Sequence, residues 1–181
     1  MAHLPIWYLG YIPHTQCDTV VDELSKVPVR DATMGVDGSE VNAAYRDTAI
    51  RFADFNYWFS DILVNHANVS NATCKWEYDV QGRESVQFAC YGLGQHYNWH
   101  VDTFPLSGKP TDRKITVVCL LNDPSEFEGG EFQLRLYSEY TAPLIKGAVI
   151  AFPSILEHRV APVTKGVRKS ATLWLNGPRF K

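Results

Sequence analysis

The 181-residue sequence lacks the features that mark several large classes of protein. It has no CxxC pair, because its four cysteines are scattered along the chain, and this argues against a structural zinc knuckle or a disulfide scaffold. No run reaches the roughly 18 consecutive apolar residues that a membrane-spanning helix needs. We therefore expect a protein without membrane spans, whose thiols are free and buried in a reducing compartment.

An excess of basic residues is also missing. The 17 Lys and Arg stand against 20 Asp and Glu, which gives a formal net charge of −3. This balance disfavours nucleic acid or an anionic membrane as a partner bound through bulk charge. The start of the chain has no basic segment followed by an apolar run, so no secretory signal is visible and we predict a cytoplasmic location.

The composition that is present is that of a globular protein. Hydrophobic residues make up 45% of the chain and charged residues 20%. The length suits one domain with a sizeable core, so we predict a single domain over residues 1–181. Aromatic residues reach 13%, which indicates large rings in a core or a pocket without saying which.

Helical patterns are confined to the first part of the chain. Apolar residues at helical spacing predict a helix over 17–27, and an apolar stripe from Trp58 to Val69 predicts a second helix over 55–69. A turn-rich loop is predicted at 35–40. We therefore interpret residues 1–84 as a helical support region.

From residue 85 the apolar pattern changes to a period of two. Short apolar segments bounded by Gly, Pro, Asn or Asp predict strands at 85–91, 115–121, 131–137, 148–152 and 170–176. Within 131–137, Phe132, Leu134 and Leu136 are predicted to point inward. Strands without intervening helices predict an antiparallel sandwich or a jelly roll (double-stranded β-helix) as the core over 85–181, in a mainly β protein with N-terminal helices (α+β). A polar loop over 103–114 lies where a lid could form, and the sequence leaves its closure open.

A His-x-Asp element is the first chemical candidate. His100 and Asp102 are two apart, so on a strand both side chains point to the same side. The pattern alone also fits a solvated histidine followed by an aspartate that starts a loop. A second histidine, His158, follows the strand predicted at 148–152. Two imidazoles and one carboxylate are the ligand set of non-haem Fe(II) oxygenases, whereas zinc would favour a more closed set.

An arginine follows on the last predicted strand. Alternation puts Arg168, Ser170, Thr172 and Trp174 on one side of that strand. A guanidinium beside a hydroxyl and facing a barrel interior would bind an anion, and its geometry matches a carboxylate. The alternative is an edge strand whose polar face lies in water.

Three segments together resemble a known family. Residues 91–102 (YGLGQHYNWHVD) are similar to a Y-x-x-G-x-x-Y-x-x-H-x-D stretch, and 113–134 resemble a strand, acidic turn, Gly-Gly and strand. Residues 158–168 are similar to an H-x-V-x-P-V-x-x-G-x-R ending. In this order the segments resemble the iron(II)- and 2-oxoglutarate-dependent dioxygenases, in their prolyl 4-hydroxylase-like branch.

The resemblance implies cofactors and a role for each site residue. The cofactors are Fe(II) and 2-oxoglutarate, with ascorbate as an optional third. The implied iron ligands are His100, Asp102 and His158. Arg168 would bind the distal carboxylate of 2-oxoglutarate, Ser170 would assist it, and Tyr91 would donate a hydrogen bond to the cosubstrate. Tyr91 equally fits a core ring whose hydroxyl bonds to the backbone.

The implied reaction is hydroxylation of a C–H bond with release of succinate and carbon dioxide. Asp102 favours this outcome, because family members that halogenate lack this carboxylate. The implied substrate is a prolyl residue of a protein or peptide. A small molecule or free amino acid is the alternative substrate, and a non-catalytic jelly-roll binding module is the alternative class of protein. A nucleobase substrate is disfavoured because no basic stripe is visible.

Overall fold

The computed structural model describes residues 5–30, 42–105 and 107–179, so the loop predicted at 35–40 lies outside the described residues. Two α-helices lie in these ranges, α1 (His14–Ser25) and α2 (Phe59–Thr73). The strands in chain order are β1 (Tyr8–Tyr11), β2 (Arg46–Asp47), β3 (Ala49–Phe52), β4 (Gly82–Arg83), β5 (Gln87–Tyr91), β6 (His96–His100), β7 (Thr111–Leu120), β8 (Phe127–Gly129), β9 (Phe132–Arg135), β10 (Glu139–Thr141), β11 (Ala148–Pro153), β12 (Glu157–Val160), β13 (Val163–Gly166) and β14 (Arg168–Pro178).

Two antiparallel sheets form the body of the protein. The larger sheet has the order β1-β11-β7-β14-β5-β3, and β4 also pairs with β14. The smaller sheet has the order β10-β9-β12-β6-β2, and β13 pairs with β8 beside it. The prediction of a mainly β protein with N-terminal helices is confirmed. No helix within the described ranges is long and apolar enough to cross a membrane.

The helices cover the outer face of the larger sheet. Leu24 of α1 and Leu63 of α2 belong to one buried apolar cluster with Val117 of β7 and Leu173 of β14. Alternation along each strand directs every second residue toward the helices. Fully burying one such aliphatic side chain contributes roughly 1.5–3 kcal/mol, so this layer is a main source of stability.

The second helix differs from its prediction in start and orientation. It begins at Phe59 rather than residue 55, because the preceding residues form a turn in which the Tyr57 N–H donates to the Asp54 carbonyl. Trp58 and Val69, both in the predicted stripe, are 37% and 42% exposed. The residues of α2 that are buried are Phe59, Ser60, Leu63, Ala67 and Ser70.

The region predicted as helical support also contributes strands. β1 pairs with β11 and β3 pairs with β5, so both edges of the larger sheet come from the first part of the chain. The strands β1 and β3 have four residues each, which is too few for a clear period-two pattern. At Gly10 the strand passes so close to α2 that an added Cβ would lie 2.3 Å from the ring of His66.

Several strand boundaries in the second part also differ from prediction, and those of β9 and β7 change what was expected of single residues or loops. β9 ends at Arg135, so Leu136 is 47% exposed and its predicted inward position is wrong. β7 begins at Thr111, so the loop predicted over 103–114 ends earlier, and its residue 106 lies outside the described residues. Asp112 fastens the loop, since its carboxylate accepts a hydrogen bond from the Phe104 backbone N–H at 2.9 Å.

Candidate metal centre

The structure brings together the three predicted metal ligands. His100 ends β6 and stands directly opposite His158 of β12 in the antiparallel register. Asp102 lies just beyond β6, where its backbone N–H donates to the Ser154 carbonyl at 2.9 Å. Cross-strand pairing therefore sets the two imidazoles side by side, and a loop places the carboxylate against them.

The distances within this group suit a shared metal ion. His158 Nε2 lies 3.2 Å from Asp102 Oδ2, and His100 Nε2 lies 3.8 Å from Asp102 Oδ1. One ligand atom from each residue lies within 4.8 Å of the others. His158 and Asp102 are 3% and 5% exposed, so the group is screened from solvent. The assignment of these residues as metal ligands stays a prediction that the geometry supports.

Backbone carbonyls set the tautomer of both imidazoles. His100 Nδ1 lies 2.7 Å from the Asn98 carbonyl, and His158 Nδ1 lies 2.9 Å from the Leu156 carbonyl. A carbonyl can only accept, so each Nδ1 carries the proton and donates it. Each Nε2 is then left with a lone pair directed at the group, which is the form a metal ligand needs.

The electrostatics of the group keep His100 and Asp102 in their ligating protonation states. Burial lowers the pKa of His100 to about 3, and the neighbouring His158 lowers that pKa as well. Burial alone would raise the pKa of Asp102, but the imidazoles and Arg113 hold it well below its usual range. A neutral imidazole beside an ionised carboxylate is the protonation state that binds a divalent cation.

Two side chains that the sequence analysis did not single out hold the Asp102 carboxylate. The Thr116 hydroxyl and the Trp174 indole N–H each donate to Asp102 Oδ2 at 2.8 Å. Trp174 lies on the same strand face as Arg168, as predicted, but no role was assigned to it. Thr116 is the polar residue within an apolar β-branched run, and that contrast was the available signal.

A half-buried ion pair lies next to the carboxylate. Arg113 donates two hydrogen bonds of 2.6 Å to Glu84, and its guanidinium lies 3.9 Å from the ring centre of Trp174. Its Nη1 is 3.8 Å from Asp102 Oδ1. Burial alone would lower the pKa of Arg113, but the bonds to Glu84 and the charge of Asp102 raise it. Arg113 therefore stays cationic beside the group.

An open cleft of about 1020 Å³ leads to the group. His100 and Asp102 line it, together with Trp174, Tyr97 and Trp99. The Tyr97 ring stacks on His100 with a centroid distance of 3.5 Å and an interplanar angle of 13°. Tyr97 and Trp99, the two aromatic residues of β6 besides the histidines, thus both reach the cleft wall.

Arg168 lies deeper in the barrel. It is 2% exposed, its Nη1 donates to the Ser170 hydroxyl at 2.8 Å, and it stands opposite Tyr91 in the register of β14 and β5. Its Nε has no hydrogen-bond partner among the described residues. Burial lowers its pKa, and the neighbouring Tyr91 counters part of that effect. The cofactor-binding roles predicted for Arg168, Ser170 and Tyr91 stay predictions.

Arg168 does not lie in the wall of the large cleft but lines a second, smaller cavity. Arg168 lines a small internal cavity of about 10 Å³ with Leu120, Ile150 and Phe132, and it is not in the cleft wall. Phe132 joins the two regions, because its ring centre lies 5.7 Å from that of His158. A buried cation therefore lies one aromatic ring away from the histidines.

The donor set and the buried cation fit Fe(II) and an anionic cosubstrate. Two Nε2 lone pairs and one carboxylate match the two-His-one-carboxylate set of non-haem iron sites. A guanidinium without a carboxylate partner among the described residues is costly to bury, and a carboxylate ligand would relieve that cost.

The fold and the site define a class of protein, and the family comparison agrees with it. The family model described as the 2OG-Fe(II) oxygenase superfamily matches residues 86–176, half of the chain. The chain belongs to this superfamily. Membership implies Fe(II) and 2-oxoglutarate as cofactors, which confirms the cofactors predicted from the sequence resemblance.

The relatives whose sequences match part of this chain include PKHD-type hydroxylases. Residues of this chain are 37% identical over 98 positions to a PKHD-type hydroxylase of Xylella fastidiosa, covering 49% of this chain and 43% of the relative. They are 36% identical over 113 positions to a PKHD-type hydroxylase of Picosynechococcus sp., covering 62% and 51%. The chain thus spans about half the length of the curated relatives it matches.

Solved structures share the fold. A prolyl-4-hydroxylase of Pseudomonas putida matches with a TM-score of 0.72 and 20% identity, over 95% of this chain and 93% of that chain. A viral collagen prolyl hydroxylase from Paramecium Bursaria Chlorella virus-1 matches with a TM-score of 0.73 and 20% identity, over 96% and 97%. The predicted jelly roll with its helical layer is confirmed.

Proposed function

We propose that this chain is an Fe(II)- and 2-oxoglutarate-dependent dioxygenase that hydroxylates a C–H bond of a prolyl residue in a protein or peptide. One observation carries the proposal. His100, Asp102 and His158 converge at an open cleft, while the buried guanidinium of Arg168 stands one aromatic ring behind them. This arrangement offers a metal site and an anion site within one barrel.

Each residue has a distinct task in this proposal. The two imidazoles and the Asp102 carboxylate hold the iron, which supplies dioxygen activation when bound. Arg168, with the Ser170 hydroxyl beside it, holds the distal carboxylate of 2-oxoglutarate. The Tyr97 ring covers one face of His100 and excludes water from it.

The peptide substrate is supported by the cleft and by the relatives. A cleft of about 1020 Å³ is at the upper end of the range for small-molecule sites and is open to solvent, which suits a segment of a longer chain. The matched relatives are named PKHD-type or prolyl hydroxylases. Another solved relative, a prolyl hydroxylase from Trichoplax adhaerens, is described in complex with a peptide fragment.

The proposal is tested by measuring succinate formed from 2-oxoglutarate with Fe(II), with and without proline-containing peptides. We expect turnover that rises with a peptide and is lost when its proline is replaced by alanine. His158→Ala should abolish turnover, whereas the matched control His96→Ala should not, since the His96 ring lies on the same sheet but bonds only to backbone carbonyls. Full turnover in His158→Ala would contradict the proposed metal site.

A further inference from the structure

We propose that Thr116 and Trp174 are positioning residues that fix the Asp102 carboxylate for metal binding, with Ser154 supporting Thr116. The inference rests on the proposed function, in which Asp102 is a metal ligand. It concerns how strongly that ligand is held, and it assigns the task to side chains of the opposite sheet.

Asp102 needs such support more than the two histidines do. The imidazoles sit on paired strands and are each fixed by a hydrogen bond from Nδ1 to a backbone carbonyl. Asp102 lies beyond the end of β6, so no strand pairing sets the plane of its carboxylate. A carboxylate on a loop can rotate, and rotation would turn its lone pairs away from the metal.

The two donors come from adjacent strands of the larger sheet. Thr116 of β7 and Trp174 of β14 are direct cross-strand partners, and both side chains reach across the barrel to Asp102 Oδ2 at 2.8 Å. Two donors on one oxygen hold the carboxylate in a single plane. Hydrogen-bonded partners of metal ligands commonly orient those ligands in this way.

Ser154 completes the chain of hydrogen bonds. Its hydroxyl lies 2.9 Å from that of Thr116, and because the Thr116 proton is given to the carboxylate, Ser154 is the donor in that pair. Thr116 and Ser154 are both 0% exposed, and Trp174 is 7% exposed. Water therefore does not compete for these bonds, and hydrogen bonds to a charged group are at the strong end of the range.

The other carboxylate oxygen stays available. Asp102 Oδ1 accepts no hydrogen bond from the described residues, and the neutral His100 Nε2 and the cationic Arg113 Nη1 each lie 3.8 Å from it. Oδ2 is thus held by two hydrogen bonds, while Oδ1 accepts none from the described residues and can bind a metal ion. Removing either donor should loosen the ligand without removing it.

The test measures binding of Co(II) alone to the apoprotein, by calorimetry and by the visible absorption of the bound ion. Thr116→Val removes one donor and keeps the shape of the side chain, whereas Trp174→Phe removes the other donor and keeps an apolar aromatic ring. We expect each to weaken Co(II) binding about 10- to 100-fold. The Co(II) absorption bands should also shift, since the ligand field changes. Thr116→Ser retains the hydroxyl and should restore the wild-type affinity and spectrum.

Matched controls separate positioning from general damage. Thr48→Val removes a buried hydroxyl that donates to the Cys90 carbonyl, and Trp58→Phe removes an indole bond to Glu23. Both controls should leave the Co(II) affinity and spectrum unchanged. Thermal unfolding of every apoprotein confirms that it is folded, and Trp174→Phe tests the inference by itself if Thr116→Val does not fold.

The outcomes are distinguishable. Wild-type affinity and spectrum in folded Trp174→Phe and Thr116→Val would overturn the inference and leave the metal site standing. Equal weakening in Thr116→Ser and Thr116→Val would also overturn it, since the hydroxyl would then not matter. A wild-type protein that binds no Co(II) would overturn the proposed function, and this inference with it.

Discussion

The two faces of the larger sheet are built from the same strands and differ in kind. Toward the helices, β7 and β14 present a row of apolar side chains that are all no more than 1% exposed: Ile115, Val117, Cys119, Ala171, Leu173 and Leu175. Toward the barrel interior the same two strands present Thr116, Arg168, Ser170 and Trp174. Successive residues of one strand thus point alternately into the apolar core under the helices and into the barrel interior.

The difference separates stability from chemistry. Apolar burial against the helices favours folding without cost to any polar group. The interior face buries a guanidinium and hydroxyls, which lose hydration and regain it only through specific partners. We therefore expect interior substitutions to change ligand binding more than stability, and helix-face substitutions to do the opposite.

The largest effect is expected inside the barrel. His158→Ala should weaken Co(II) binding by more than about 100-fold, since even a residue that only supports a metal ligand costs about 10- to 100-fold. The apoprotein should remain folded, which thermal unfolding checks. An unchanged Co(II) affinity would contradict the expectation that side chains facing the barrel interior bind the ligands.

Arg168→Met should raise the KM for 2-oxoglutarate. Hydrogen bonds to a charged group contribute about 1.5–3 kcal/mol, which corresponds to roughly 10- to 150-fold in affinity. Methionine keeps much of the volume and removes a buried charge, so the apoprotein should melt at the same or a higher temperature. A lower melting temperature with an unchanged KM would show that Arg168 contributes to stability and not to 2-oxoglutarate binding.

Leu173→Ala tests the face of the larger sheet that packs against the helices. It should lower the free energy of unfolding by about 2–5 kcal/mol, because it opens a cavity under the helices. The KM for 2-oxoglutarate of the folded fraction should not change. Leu136→Ala is the matched control, since Leu136 is 47% exposed, and denaturant unfolding should show little change for it.

The smallest effect is expected at the uncovered surface. Lys165 of β13 forms an ion pair of 2.9 Å with Glu128 of β8, with side chains 74% and 64% exposed. Solvent and salt screen such a pair, so Lys165→Ala should leave both the melting temperature and 2-oxoglutarate turnover unchanged. A clear loss in either measurement would show that this surface is more than a solvated edge.

Local pattern accounts for much of the fold. Short apolar runs bounded by turn residues placed the strands that became β7, β11 and β14, and alternation put Arg168 and Ser170 on one face, where they are hydrogen-bonded. The edge strands β1 and β3 were missed, because four residues cannot display a period clearly. The stripe on α2 was misplaced, because an apolar residue such as Val69 carries no mark of which face the sheet will cover.

The sequence by itself determined the residue types of the site, its family and the class of fold, because order and spacing of His100, Asp102, His158 and Arg168 are properties of the chain. Only the tertiary structure decided which side chains form hydrogen bonds to these site residues. Thr116 and Trp174 lie 14 and 72 residues from Asp102 in sequence, and only closure of one sheet over the other brings their donors to its carboxylate. A hydrogen bond depends on position within a fraction of an ångström, and spacing along a chain does not specify that.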